Sequence, residues 1–179
     1  SHALDQHRVR GIDFDCGVFT NLSGDHLDYH ETMAAYAEAK ARLFASLDAG
    51  GVAVINRDDA AGEAMAAAAG EARVIWYGLN PLADLRGRID RIDATGTAFD
   101  VCFAGRSATV RTGLIGRHNV MNLLAVAGAS LALGYDLPDV AEALSAARGA
   151  PGRLQRVPGQ APFEVFVDYA HTDDALANV

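Results

Sequence analysis

The 179-residue chain has a single lysine, Lys40, among its 15 basic residues. It holds no Gly-x-x-x-x-Gly-Lys-Ser/Thr loop, the element that normally cradles the phosphates of ATP, so a phosphate loop of that kind is excluded from this sequence. Cysteine is almost as scarce. Cys16 and Cys102 lie in apolar, strand-like stretches with no partner at metal-ligand spacing. A disulfide framework and a structural zinc site are thereby disfavoured, and both residues read as buried thiols in a reducing compartment. No apolar run approaches the roughly 18–20 residues that a membrane-spanning helix needs. The opening residues Ser1-His2-Ala3-Leu4-Asp5-Gln6 have neither the basic start nor the apolar stretch of a signal peptide. Positive charge is also short: the net charge of −8 argues against a general nucleic-acid binder. A nucleotide substrate stays open, because the local field of a pocket can oppose the overall charge. What remains is a cytoplasmic globular protein, half hydrophobic and 21% charged, with no nucleic-acid or membrane partner. Its length suffices for one core, or for one domain and the beginning of another.

Strand and helix signals alternate over the first eighty residues. Residues 14–20 read as a buried strand, and 32–47 as a helix with Met33, Tyr36, Ala37, Leu43, Phe44 and Leu47 on its apolar stripe. Val52–Ile55 is wholly apolar, as in the interior of a parallel sheet; 58–69 is alanine-rich and helical, and 73–77 is a third strand. This is the pattern of an α/β fold, a mostly parallel wound sheet with helices on both faces. The stretches 88–92, 97–103 and 107–111 then predict a small antiparallel meander, Phe99, Val101 and Phe103 alternating with Asp100 and Cys102. Helices return at 119–133 and 138–147, with Pro138 in a first turn and Gly134 and Gly149 as C-terminal caps. Ala150-Pro151-Gly152 reads as a linker, and 163–168 as a fresh strand. A unit begun so near Val179 cannot bury its own apolar face, so the chain is expected to be a piece of a longer protein.

The densest polar cluster is Asp25-His26-Leu27-Asp28-Tyr29-His30, directly after the first strand, where α/β sheets place ligands. It admits three readings: a capped turn with Asp28 as N-cap and Glu31 closing a capping box, a metal contact, or a zinc hydrolase site. The last lacks the glutamate that should follow the first histidine, since Leu27 stands there. Lys40 falls on the apolar stripe, where an ammonium is costly unless it is paired, neutralised or chemically altered. It either snorkels to water or faces the same cleft as His26. Asn119 shares a helical face with Asn122 and either caps its helix or reads a base. Arg153 and Asp168 read as surface charges or, for Asp168 at a strand's carboxyl end, as part of a cleft.

Several stretches, taken in order, resemble the Mur ligases of peptidoglycan synthesis, on the branch that adds the third residue of the peptide. They are Ser1-His2-Ala3-Leu4…Gln6-His7-Arg8, the run Thr20-Asn21-Leu22-Ser23-Gly24-Asp25-His26-Leu27-Asp28-Tyr29-His30, and Tyr36-Ala37-Glu38-Ala39-Lys40…Leu43-Phe44. Gly116-Arg117-His118-Asn119…Asn122, Pro151-Gly152-Arg153 and Val167-Asp168-Tyr169-Ala170-His171-Thr172 continue the match. The run ending at His30 is highly specific; the His118-Asn119 and Pro-Gly-Arg matches are common to the wider superfamily.

The resemblance implies an ATP-dependent amide ligase that joins diaminopimelate or lysine to UDP-N-acetylmuramoyl-L-Ala-D-Glu through an acyl phosphate, acting as a monomer when full length. It implies ATP and Mg²⁺ as cofactors, with a carbamylated Lys40 and His26 at the magnesium, an unusual ligand for a hard ion. Ser1, Gln6 and Arg8 match residues that hold the UDP-muramoyl dipeptide. Asn119, Arg153 and Asp168 match nucleotide contacts, and His171 a catalytic position near the phosphates. Residues 1–150 correspond to the central ATP-binding domain without its phosphate-loop part, and 151–179 to the start of a C-terminal domain. On that ground the isolated chain is expected to be inactive. Asp173 stands where the family pattern has proline after His-Thr. The competing readings are a folylpolyglutamate-type ligase and a non-catalytic module binding a nucleotide or a UDP-muramoyl peptide.

Overall fold

Every residue of Val52–Ile55 is buried, which is why that stretch tolerates no polar side chain. In the computed structural model, which describes residues 2–22, 32–159, 163–171 and 176, it belongs to a six-stranded sheet. The strands are β1 (Cys16–Phe19), β2 (Val52–Asn56), β3 (Arg73–Gly78), β4 (Leu85–Asp93), β5 (Gly96–Phe103) and β6 (Arg106–Thr112), adjacent in that order. β1 to β4 run parallel, and β4, β5 and β6 are antiparallel. The expected meander is therefore the outer half of one continuous sheet. β3 passes to β4 without a crossover helix because only Tyr77 and Gly78 pair with Leu85 and Arg86, so residues 79–84 need only a short loop.

The described helices are α1 (His2–Asp5), α2 (Met33–Ala45), α3 (Gly62–Ala68), α4 (Arg117–Ala132) and α5 (Leu137–Ser145). The two-residue period of β2 sorts its side chains onto two cores. Ala53 and Ile55 join Phe19, Phe44, Leu47 and Met65 beneath α2 and α3. Val52 and Val54 join Tyr77, Leu85, Phe99 and Val101 beneath α4 and α5, with Val120, Leu124, Val140 and Leu144 from the helices. Burying each of the large side chains contributes roughly 1.5–3 kcal/mol before conformational entropy is counted. Helix α4 reaches the sheet closely because Gly128 has no side chain; a Cβ there would lie 2.4 Å from Cγ1 of Val54.

The boundaries depart from the sequence reading in identifiable ways. Helix α2 is capped by Thr32, whose Oγ1 accepts from the N–H of Ala35 at 3.1 Å. The alternative cap, Asp28, lies outside the described residues. Helix α3 starts only at Gly62, because the Asp59 carboxylate accepts from the Ala61 N–H and the Asp58 carboxylate from the Leu79 and Asn80 N–H groups after β3 instead. Gly134 follows α4 as expected, with the Tyr135 N–H returning to the carbonyl of Ser130. Helix α5 ends at Ser145, so Gly149 does not cap it. The last strand is shorter than 163–168: β7 (Gln155–Arg156) pairs antiparallel with β8 (Phe166–Val167). Met33, placed on the apolar stripe of α2, is exposed. Cys16 and Cys102 are free thiols but only half-buried.

Candidate functional site

Two groups of candidate residues take shape on opposite faces of the sheet. The first surrounds α1 and α2. Arg42 Nη1 donates to Asp5 Oδ1 at 2.8 Å and ties the two helices together. Just beyond α1, the Arg8 N–H returns to the Ala3 carbonyl at 2.8 Å, leaving the side chains of Gln6 and Arg8 exposed. Lys40 is half-buried, and its ammonium lies 4.9 Å from the centroid of the Tyr36 ring, one turn back on α2. It lies on the apolar stripe of Tyr36, Phe44 and Leu47, as expected, but is only half-buried there. Stacking an ammonium on a ring face offsets its partial loss of water. Ser1 and His26 lie outside the described residues.

Next to this group, three side chains that sequence reasoning did not single out catch the backbone as it leaves β1. Tyr77 donates its hydroxyl to the Phe19 carbonyl at 3.2 Å, and Asn56 Nδ2 to the Thr20 carbonyl at 2.6 Å. The Leu22 N–H donates to Asp59 Oδ2 at 2.9 Å. Burial pushes the Tyr77 phenol well above its usual range, and the nearby Asp59 and Asp58 carboxylates add to the effect. The available signal was that Asn56 and Asp59 sit at the carboxyl end of a parallel strand.

The second group lies where α4 begins. Asn119 Nδ2 donates to the Ile115 carbonyl at 2.8 Å, which turns the amide and leaves Oδ1 with no donor among the described residues. Arg153 carries its guanidinium 5.6 Å from the centroid of the Tyr169 ring. The His171 ring meets Tyr169 edge-on at 5.1 Å, and its Nδ1 lies 2.8 Å from the Tyr169 carbonyl. Beside them, a cleft of about 310 Å³ runs between Thr95, Gly113, Ile115, Gly149 and Arg153. An amide acceptor can take a hydrogen bond from an amine, and a guanidinium fork can donate to phosphate or hydroxyl oxygens. Among the described residues no group of three or more His, Cys, Asp or Glu side chains is placed to hold a metal; His26 is not one of the described residues.

Asp168 is held well below the usual carboxylate range, chiefly by the Leu154 N–H and further by the Ala170 N–H and the charges of Arg153 and His118. A carboxylate whose pKa falls on folding binds its proton less readily in the native state. Its stabilising contribution is complete above the ordinary value of about 3.9 and is lost as pH falls through the lower native value. Urea-unfolding midpoints of wild type and Asp168→Asn are therefore expected to differ most near pH 7 and to converge as the pH falls through the lowered native pKa of Asp168. A constant gap across that range would remove the Asp168 charge from the account.

A mixed sheet with helices on both faces and polar groups gathered at strand and helix ends defines an α/β ligand-binding domain. A model described as the Mur ligase middle domain matches residues 1–130, and the chain belongs to the Mur ligase family. It is 47% identical over 183 residues to a UDP-N-acetylmuramoyl-L-alanyl-D-glutamate--2,6-diaminopimelate ligase of Xylella fastidiosa, covering all of this chain and 37% of that protein. The protein of the same description from Parabacteroides distasonis is 43% identical over 179 residues, covering all of this chain and 36% of that one. A solved structure described as a UDP-N-acetylmuramoyl-L-alanyl-D-glutamate--2,6-diaminopimelate ligase matches with a TM-score of 0.83 at 40% identity, over 98% of this chain and 36% of that one. The chain thus spans little more than a third of the length of these relatives. No helix among the described residues is long and apolar enough to cross a membrane.

Proposed function

We propose that this chain is the central part of an ATP-dependent ligase that adds 2,6-diaminopimelate to UDP-N-acetylmuramoyl-L-Ala-D-Glu in peptidoglycan synthesis, working in the cytoplasm as a monomer. The supporting observation is identity above 40%, along the whole chain, to relatives described as diaminopimelate ligases. Their descriptions also favour diaminopimelate over lysine. Residues 1–150 belong to the ATP-binding domain and 151–179 open the next one.

Within this reading, Gln6, Arg8 and Ser1 hold the muramoyl dipeptide. Asn119 presents its free acceptor to the base, and Arg153 and Asp168 serve the nucleotide. His171, set against Tyr169, lies toward the phosphates. ATP, when bound, supplies the phosphoryl group that activates the substrate carboxylate. His26 and a carbamylated Lys40 would be the magnesium-side residues, the ion supplying positive charge against the phosphates.

Two measurements test the assignment. The isolated chain is expected to show no ATP- and diaminopimelate-dependent product, because the sequence lacks a phosphate loop. Turnover by the pure chain would overturn that. In the whole enzyme, Arg8→Ala should raise the KM for the muramoyl substrate about ten- to a hundredfold, the loss of one charge-assisted hydrogen bond. An unchanged KM removes Arg8 from the site. A folylpolyglutamate-type ligase would instead turn over a folate. A binding module would take up the UDP-muramoyl peptide without turnover even when the whole protein is used.

A further inference from the structure

The chain turns sharply at residues 150–156. The Arg153 N–H returns to the Ala150 carbonyl at 3.2 Å, and Gln155 Oε1 accepts from the Gly152 N–H at 2.9 Å. Between them Leu154 has a φ of +43°, a left-handed backbone that is unfavourable for any residue with a Cβ. Such a conformation persists only where the surroundings hold it. Here the holding group is Asp168, fourteen residues away: Oδ2 accepts the Leu154 N–H at 2.6 Å and Oδ1 accepts the Ala170 N–H at 2.7 Å. The Tyr169 N–H adds a third tie, to the Gly152 carbonyl at 2.8 Å. One carboxylate thus fastens the turn to the end of β8, and the residues on either side of its two bonds, Arg153 and Tyr169, are the pair that stack.

We propose that Asp168 is a positioning residue, a latch that holds Leu154 left-handed and thereby sets the Arg153 guanidinium over Tyr169 toward the nucleotide. This rests on the reading of Arg153 as a nucleotide contact. Both carboxylate oxygens are engaged with backbone N–H groups. A group that acts by direct contact needs no strained neighbour, whereas a latch does, and the strained neighbour provides the means to tell them apart.

The experiment uses the whole enzyme with Asp168→Asn, Arg153→Ala and the double variant Asp168→Asn/Leu154→Gly. Asparagine places an NH₂ against one of the two backbone donors, so the latch opens on that side. Without nucleotide, amide hydrogen exchange in a peptide spanning residues 150–156 should speed up in Asp168→Asn. The KM for ATP should rise about tenfold, as for one lost charge-assisted hydrogen bond. Glycine adopts the left-handed backbone without strain, so adding Leu154→Gly should recover about fivefold of that loss. A raised KM with unchanged exchange and no recovery by Leu154→Gly would overturn the latch in favour of direct contact. A raised KM in Arg153→Ala, together with faster exchange but a normal KM in Asp168→Asn, would also overturn it. An unchanged KM in Arg153→Ala would instead sink the nucleotide reading on which the latch rests, while the exchange result would still report on the turn itself.

Discussion

Lys40→Ala in the whole enzyme is expected to lower kcat by about 10²–10³-fold, the size of effect seen when one preorganised electrostatic group is removed from an active site. The expectation rests on the proposal that Lys40 carries a carbamate. In that reaction the unprotonated Nζ adds to CO₂ and loses a proton, so a cation becomes a carboxylate-like anion. The structure bears on this in two ways. Lys40 is half-buried, so its amine is partly withdrawn from bulk water while CO₂ can still reach it. As an ammonium it rests against Tyr36, and conversion to an anion would remove that contact and turn the group away from the electron-rich ring face. Charge, then, decides the series: Lys40→Glu should retain part of the activity, Lys40→Arg should not, and bicarbonate with a small carboxylic acid should partly restore Lys40→Ala. The direct measurement is mass analysis or ¹³C NMR of the enzyme in labelled bicarbonate. A fully active enzyme with an unmodified Lys40 amine would end the carbamate proposal.

Gly96→Ala is expected to destabilise the chain by about 3–5 kcal/mol, a large part of the roughly 5–15 kcal/mol that holds a domain folded. Gly96 has a φ of +141°, and a Cβ on it would lie 2.1 Å from the carbonyl oxygen of Thr112. That oxygen belongs to backbone in register with Thr97, so it cannot retreat without opening the β5–β6 ladder. Gly105 is the control. Its φ of +76° is close to the left-handed region that alanine adopts at modest cost, and nothing lies within 4 Å of its Cβ position. Gly105→Ala should therefore cost only about 1–2 kcal/mol of backbone strain. Urea unfolding of the two variants measures the difference, and equal costs would show that the approach to Thr112 is relieved by a shift of the hairpin.

Where a burial requirement was written into neighbouring residues, the sequence disclosed the element. Val52–Ile55 had to be an interior strand because no polar side chain interrupts it, and the alternation about Phe99 and Val101 fixed which face of β5 is inward. Helix ends were legible to within a few residues, except where an acidic side chain had a better use than capping, as with Asp58 and Asp59 ahead of α3. The candidate residues were legible by motif. Their surroundings were not: the hold of Asn56, Asp59 and Tyr77 on residues 19–22 needs β1 laid beside β2 and β3, with partners 36 or more positions apart.

The sequence by itself determined the α/β class, the two-faced burial of the central strands and the family motifs around Lys40, Asn119, Arg153 and Asp168. It did so because those features are carried by residues close together along the chain, in apolar periods of two or of three to four. The tertiary structure alone decided that Lys40 stays half-buried against Tyr36, that Gly96 abuts Thr112, and that both oxygens of Asp168 are taken by backbone N–H groups. Each of these depends on strand register and on turns that bring distant segments together. A hydrogen bond or a steric contact between such segments leaves no period for the sequence to show.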